Sequence, residues 1–214
     1  PGATVNIYKN TFITQNHPGI YINTGVTGSV HNNTMVSTND GNYGLYVDGS
    51  SLNIKNNNIV GFETSIINNN TTMNFNINNN NTWNTSLHYS GTGLPPAIGS
   101  MIDVNANGTI SDIYSNISQD PLFVYPDTNN YNLQASSTLI DAGDANYTDP
   151  DGSVADIGAL YYHIYVTIAH TPLGPTNNTA TAYTVNATVS STSGAAVTAN
   201  LSYSLDGGAA TTLA

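Results

Sequence analysis

Five carboxylates, Asp141, Asp144, Asp149, Asp151 and Asp156, fall within sixteen residues of this chain. Hard cations such as Ca²⁺ take about six to eight oxygen ligands, which closely spaced Asp residues around a turning Gly supply. The DPDG turn at 149–152 has that form, so Ca²⁺ is the cofactor candidate. Against it, the complete loop of alternating Asp or Asn with a distant Glu is absent. Asp is equally a turn and cap residue, and both readings stand.

Other chemistry is sparse. The five His residues (His17, His31, His88, His163, His170) show no metal-ligand spacing, and no Ser, His and Asp arrangement emerges. No catalytic residue is assigned. Eleven Asn residues head an N-x-[ST] sequon: Asn32, Asn69, Asn70, Asn80, Asn84, Asn107, Asn116, Asn146, Asn177, Asn186 and Asn200. In a secreted chain such residues accept glycans on loops, and an extracellular or cell-surface setting is expected.

Composition narrows the partners. Only 7% of residues are charged, against about a quarter in ordinary globular chains. Arg is absent, Lys9 and Lys55 are the only Lys residues, and net charge is −11. A chain so poor in cations cannot neutralise phosphates, which excludes nucleic acid and attraction to anionic membranes. There is no Cys, and no apolar run is long enough to insert into a bilayer. The chain opens on Pro1 without a leader, and a processed or excised piece of something longer is expected.

The positioning elements come from a repeat. Ile7, Val30, Ile54 and Ile77 are spaced 23, 24 and 23 apart. Asn10, Asn33, Asn57 and Asn80 (or Asn81) follow three residues later, then Phe12, Met35, Ile59 and Trp83. A second apolar stretch completes each rung, at 19–22, 44–47, 64–68 and 86–89. Alternation of period two makes these strands, and equal coil lengths make a solenoid of stacked parallel rungs. Crossovers of this kind are right-handed. The recurring Asn is expected to supply both a left-handed corner and a side-chain ladder. Lys9 and Lys55 read as solvated rim residues. Alternation places Ile20, Leu45, Ile66 and Leu87 inside, so Tyr21, Tyr46, Ile67 and His88 form an outward column. Stacked aromatics on a flat face suit sugar rings, which makes Tyr21, Tyr46 and His88 the carbohydrate-binding candidates; a covering loop is the other reading.

These rungs, over 5–90, resemble right-handed parallel β-helix proteins of the pectate-lyase-like class. A second resemblance begins at Gln119. Asp120–Phe123, Tyr131–Leu133, Ile140–Gly143, Asp149–Gly152 and Asp156–Ala159 match, in order, the C-terminal close of secreted β-helix proteins of the "choice-of-anchor" kind, with Thr138 where Pro is usual. Residues 164–214 resemble the first half of an immunoglobulin-like sandwich. The expected chain is all-β: a right-handed parallel β-helix over 1–163 (rungs about 5–90, loop 93–119, close 119–163), then a partial immunoglobulin-like β-sandwich over 164–214. Enzymes of the resembled class use Arg or Lys beside Ca²⁺, or clustered Asp, whereas these rungs hold only Asp40, Asp48 and Glu63. The expectation is a non-enzymatic structural or adhesive module of a microbial surface. Its partners are copies of itself in a filament or neighbouring domains of a larger protein. The alternative is a carbohydrate-binding or polysaccharide-cleaving fragment.

Overall fold

In a computed structural model the chain is described over residues 2–70, 76–163, 165–171 and 186–191, side chains at 40 and 41 excepted, with backbone alone at 201–203 and 211–213. It divides into two compact units, Pro1–Tyr162 and His163–Ala214.

The first unit is a parallel β-solenoid of about three turns. Its first rung is β1 (Thr4–Tyr8), β2 (Thr11–Thr14) and β3 (Ile20–Ile22). The second is β4 (Thr27–His31) and the long β5 (Thr34–Asp48); the third is β6 (Ser51–Lys55) and β7 (Asn58–Asn69). The fourth is β8 (Ile77–Asn78), β9 (Asn81–Trp83) and β10 (Leu87–Ser90). One sheet runs β1-β4-β6-β8; the other runs β2-β5-β7-β10, with β3 on β5 and β9 on β7.

Parallel pairing sets like residues above one another, so the apolar repeat becomes the core. Ile7, Val30, Ile54 and Ile77 form one inward column in the expected register. Two columns depart from expectation in the fourth rung. Thr82, not Trp83, stands over Ile59, while Trp83 follows Val60 on the outward side. A buried Thr is tolerated there because its Oγ1 lies 2.8 Å from His88 Nδ1. Tyr89, not Leu87, stands over Ile66; Leu87 is 47% exposed.

The corners divide two tasks that the sequence assigns to one residue. Left-handed backbone falls on Lys9, Asn32, Asn56, Asn79 and Ser115, each immediately before a ladder Asn. The ladder itself joins Asn10, Asn33, Asn57, Asn80 and Asn116. Asn33 Nδ2 donates to Asn57 Oδ1 at 3.0 Å, Asn57 to Asn80 at 3.0 Å, and Asn80 to Asn116 at 3.0 Å. The backbone N–H of each also reaches the next Oδ1. The second Nδ2 hydrogen goes back to the preceding rung: Asn57 to Val30 O, Asn80 to Ile54 O, Asn116 to Ile77 O. The amides of Asn33, Asn57 and Asn80 thus each tie three rungs together.

Asn116 lies in the segment 93–119, expected as a loop. After the hairpin of β11 (Asp103–Val104) and β12 (Ile110–Ser111), that segment rejoins the stack, with Ile117 N–H donating to Asn80 O at 2.8 Å. Asp112 ends the ladder. Its carboxylate accepts both Asn116 N–H and Nδ2, Tyr114 N–H, and Gly99 N–H at 2.7 Å. An acceptor-only residue is what the last position needs, because no further rung offers an oxygen to a donor.

The segment from 119 to 162 builds a second, smaller core. β13 (Phe123–Tyr125) and β14 (Asn130–Leu133) pair antiparallel around a 3₁₀ turn at Pro126–Thr128. Leu133, Leu139, Ala142 and Ile157 pack with Ile117 of the solenoid. In the second unit β15 (Val166–His170) pairs antiparallel with β16 (Ala187–Ser191), and β17 (Leu201–Tyr203) with β18 (Thr211–Leu213). Two antiparallel pairs are compatible with a partial sandwich.

Removing one partner of a buried hydrogen bond costs about 1–3 kcal/mol for each group left unpaired. Asn57→Ala strands Asn33 donors and Val30 O, so urea denaturation should show a loss of about 3 kcal/mol or more. Asn10→Ala, at the exposed end of the ladder, should cost about 1 kcal/mol or less. Asp112→Asn turns a donor against donors and should cost about 2–4 kcal/mol, although it changes one atom.

Candidate functional site

The five clustered carboxylates do not converge. Asp141 adopts left-handed backbone (φ 55°), which turns its N–H onto Asp156 Oδ1 at 2.9 Å. Asp156 in turn gives its N–H to Asp149 Oδ2 at 2.8 Å and accepts Tyr162 N–H. Asp151 closes a local turn on Ser153. Asp144 leaves the group altogether: its Oδ2 lies 3.0 Å from Lys55 Nζ, and Oδ1 accepts from Asn146. Among the described residues no three His, Asp or Glu side chains are gathered to hold a metal ion.

Backbone N–H groups of the same stretch hold the closing segment onto the solenoid corners. Gly158 N–H donates to Asn56 O, Asp144 N–H to Asn56 Oδ1, and Ala159 N–H to Thr34 Oγ1, each at 2.9 Å. Gly143 is required at its place, since a Cβ would stand 2.4 Å from Ala155 O. Lys55, expected as a solvated rim residue, is half of this joint. Besides Asp144 it lies 4.4 Å from the centroid of the Tyr147 ring. Tyr147 also faces His31, which stacks on Tyr8 at 5.3 Å.

Charge is unevenly compensated here. Burial pushes Asp144 up, but its Asn146 and Lys55 partners outweigh that and hold the carboxyl below its ordinary value. Asp156 is 3% exposed, and burial, with Asp149 and Asp141 adding repulsion, pushes it up to about 7. Burial likewise raises Asp149, helped by Asp151 and Asp141.

The aromatic column is present in part. Tyr21 and Tyr46 stack at 4.8 Å, 7° from parallel, and Tyr43 leans on Tyr46 at 5.0 Å. Tyr46 OH accepts from Asn69 Nδ2 at 2.8 Å. Rings stacked on one another spend their faces internally and offer edges and hydroxyls outward. Tyr21, 50% exposed, has one face to spare. His88 does not join them; Ser90 takes the place beside Ile67.

His88 lies in a different feature, an open cleft of about 710 Å³. Phe62 and Glu63 of β7, Trp83 at the end of β9, the turn Asn84–Ser86, His88 and Ser118 line it. Asn84 turns the chain with left-handed backbone (φ 50°), and buried Phe62 forms the floor. Burial holds the His88 imidazole below its ordinary value, so it is neutral near pH 7. Repeat spacing does not reveal this cleft, because it depends on Trp83 facing outward.

The sequons differ in access. Asn80 and Asn116 are fully buried with their amides in the ladder, and Asn32 and Asn70 are also buried. Asn69 is half-buried, while Asn84, Asn107, Asn146 and Asn186 are exposed. Asn177 and Asn200 lie outside the described residues. No family model, no curated protein and no solved structure matches this chain.

Two outcomes follow for the closing segment. Between the unfolded carboxyl value, about 4, and the folded value of about 7, the folded chain holds a proton on Asp156 that the unfolded chain has released. Stability should therefore fall as pH rises from 5 to 8, and Asp156→Asn, which mimics the protonated acid, should flatten that slope in denaturation at the two pH values. Because the carboxylates are spread among separate backbone and Lys55 partners, the melting temperature should be the same in Ca²⁺ and in EDTA.

Proposed function

We propose that this chain is a non-enzymatic structural module of an extracellular surface. The observation that carries the reading is the unbroken side-chain ladder from Asn10 to Asp112, which invests buried polar groups in holding the stack. Here the ladder amides are committed to one another and to the backbone, and Asp144, Asp149, Asp151 and Asp156 accept from backbone N–H groups, from neighbouring side chains or from Lys55. The acidic, Arg-free composition adds to this, since it gives trypsin-like proteases only Lys9 and Lys55, and Lys55 is held by Asp144. A surface protein gains from both properties.

Attachment within a larger surface protein, or to further copies, is part of the same proposal. The exposed sequons Asn84, Asn107 and Asn146 fit a secreted setting.

Antibodies against the solenoid should label intact, unpermeabilised cells that make the protein. Labelling that appears only after permeabilisation would reject the surface assignment. Incubation with pectin, alginate or xylan should release neither reducing ends nor unsaturated products, and steady product formation would reject the non-enzymatic one.

A further inference from the structure

The cleft at the C-terminal part of the solenoid serves no structural purpose described so far. Its occupant can be read from its chemistry. Trp83 stands outward after Ile13, Val36 and Val60, so its indole faces the opening in place of the core. Above the buried ring of Phe62, the rim carries Glu63, Asn84, Ser86, His88 and Ser118. Glu63, Asn84 and Ser86 are exposed. His88 spends Nδ1 on Thr82, which leaves Nε2 as the ring nitrogen not used in that contact.

An indole face with a fringe of amides, hydroxyls and one carboxylate matches a pyranose, which has an apolar C–H face and a ring of hydroxyls. The absence of any cation along the lining decides the charge class. Neither Lys nor Arg lies there, and the imidazole is neutral, so a uronate or sulfate would meet Glu63 with nothing to offset it. A carboxylate such as Glu63 is instead suited to accept from vicinal hydroxyls. Hydrolysis needs a pair of carboxyl groups across the glycosidic bond, and the cleft has only Glu63. One carboxylate without a second across the cleft suits binding and not hydrolysis.

We infer that the cleft lined by Trp83, Glu63, Asn84, Ser86, His88 and Ser118 is a binding site for a neutral oligosaccharide, with Trp83 as its stacking platform. The site would make the scaffold adhesive. It stands independently of the surface assignment, because a chain that binds no sugar can still be a scaffold.

Trp83 is the only tryptophan in the chain, so fluorescence excited at wavelengths that tyrosine does not absorb reports on this cleft. The test uses the whole chain produced in a host without N-glycosylation, which leaves Asn84 bare. It is titrated with gluco-, xylo-, manno- and galacto-configured neutral oligosaccharides and with oligogalacturonate. A saturable change with at least one neutral sugar, and none with oligogalacturonate, is expected. Calorimetry should show Trp83→Ala weakening that sugar about tenfold or more at an unchanged melting temperature, while Tyr21→Ala and Tyr46→Ala bind as the parent does. The proposal is overturned if no neutral sugar gives a saturable signal, or if only oligogalacturonate binds. It is also overturned if Trp83→Ala binds within about twofold of the parent, including the case where the tyrosine variants lose binding instead.

Discussion

A side-chain amide carries two donors and one oxygen able to accept twice, and in this solenoid all of that capacity is used along one line. Asn33, Asn57 and Asn80 each receive N–H and Nδ2 from the rung before and send their own to the rung after. The remaining Nδ2 hydrogen returns to a main-chain carbonyl on the earlier rung. A strand cannot slip by one residue without breaking these contacts in two directions, so the line fixes register as well as holding the stack. The inward columns, the position of Trp83 and the corner that receives the closing segment all follow from that register. The apolar core would tolerate a slip that exchanged one aliphatic residue for another; the amides would not.

Much of the solenoid was legible because parallel stacking copies one constraint at a fixed interval. Ile7, Val30, Ile54 and Ile77 keep their spacing because each lies over the last. The misreadings occurred where a polar residue took an apolar place. Thr82 occupies the core position in the fourth rung, made acceptable by His88, and the search for an apolar residue slid one place to Trp83. The same logic hid Asn116 and Asp112. Their rung is reached only after an excursion through the β11–β12 hairpin, so the interval from Asn80 is 36 rather than 23 or 24. Sequence spacing cannot see a column resumed at a different interval.

The closing carboxylates show the opposite difficulty. Their proximity in sequence was plain, but proximity along the chain says nothing of direction. Asp144 turns toward Lys55, which lies 89 residues earlier, and Asp156 turns inward to collect two main-chain amides. The joint is specific because Asn56 presents both its carbonyl and its side-chain oxygen to it. The left-handed corner residue therefore has a second use: its strained backbone exposes oxygen atoms that a regular strand would have paired.

The ladder also has a direction. Every side-chain to side-chain bond of the ladder runs from Nδ2 to the Oδ1 of the next rung, so these amide-to-amide bonds share one sense along the axis. The column ends on donors at Asn116, much as aligned peptide units leave donors at one end of a helix. Asp112 places a carboxylate at that end, 1% exposed and with no cation beside it among the described residues. The carboxylate that closes the column thus stands where the neutral amides direct their donors.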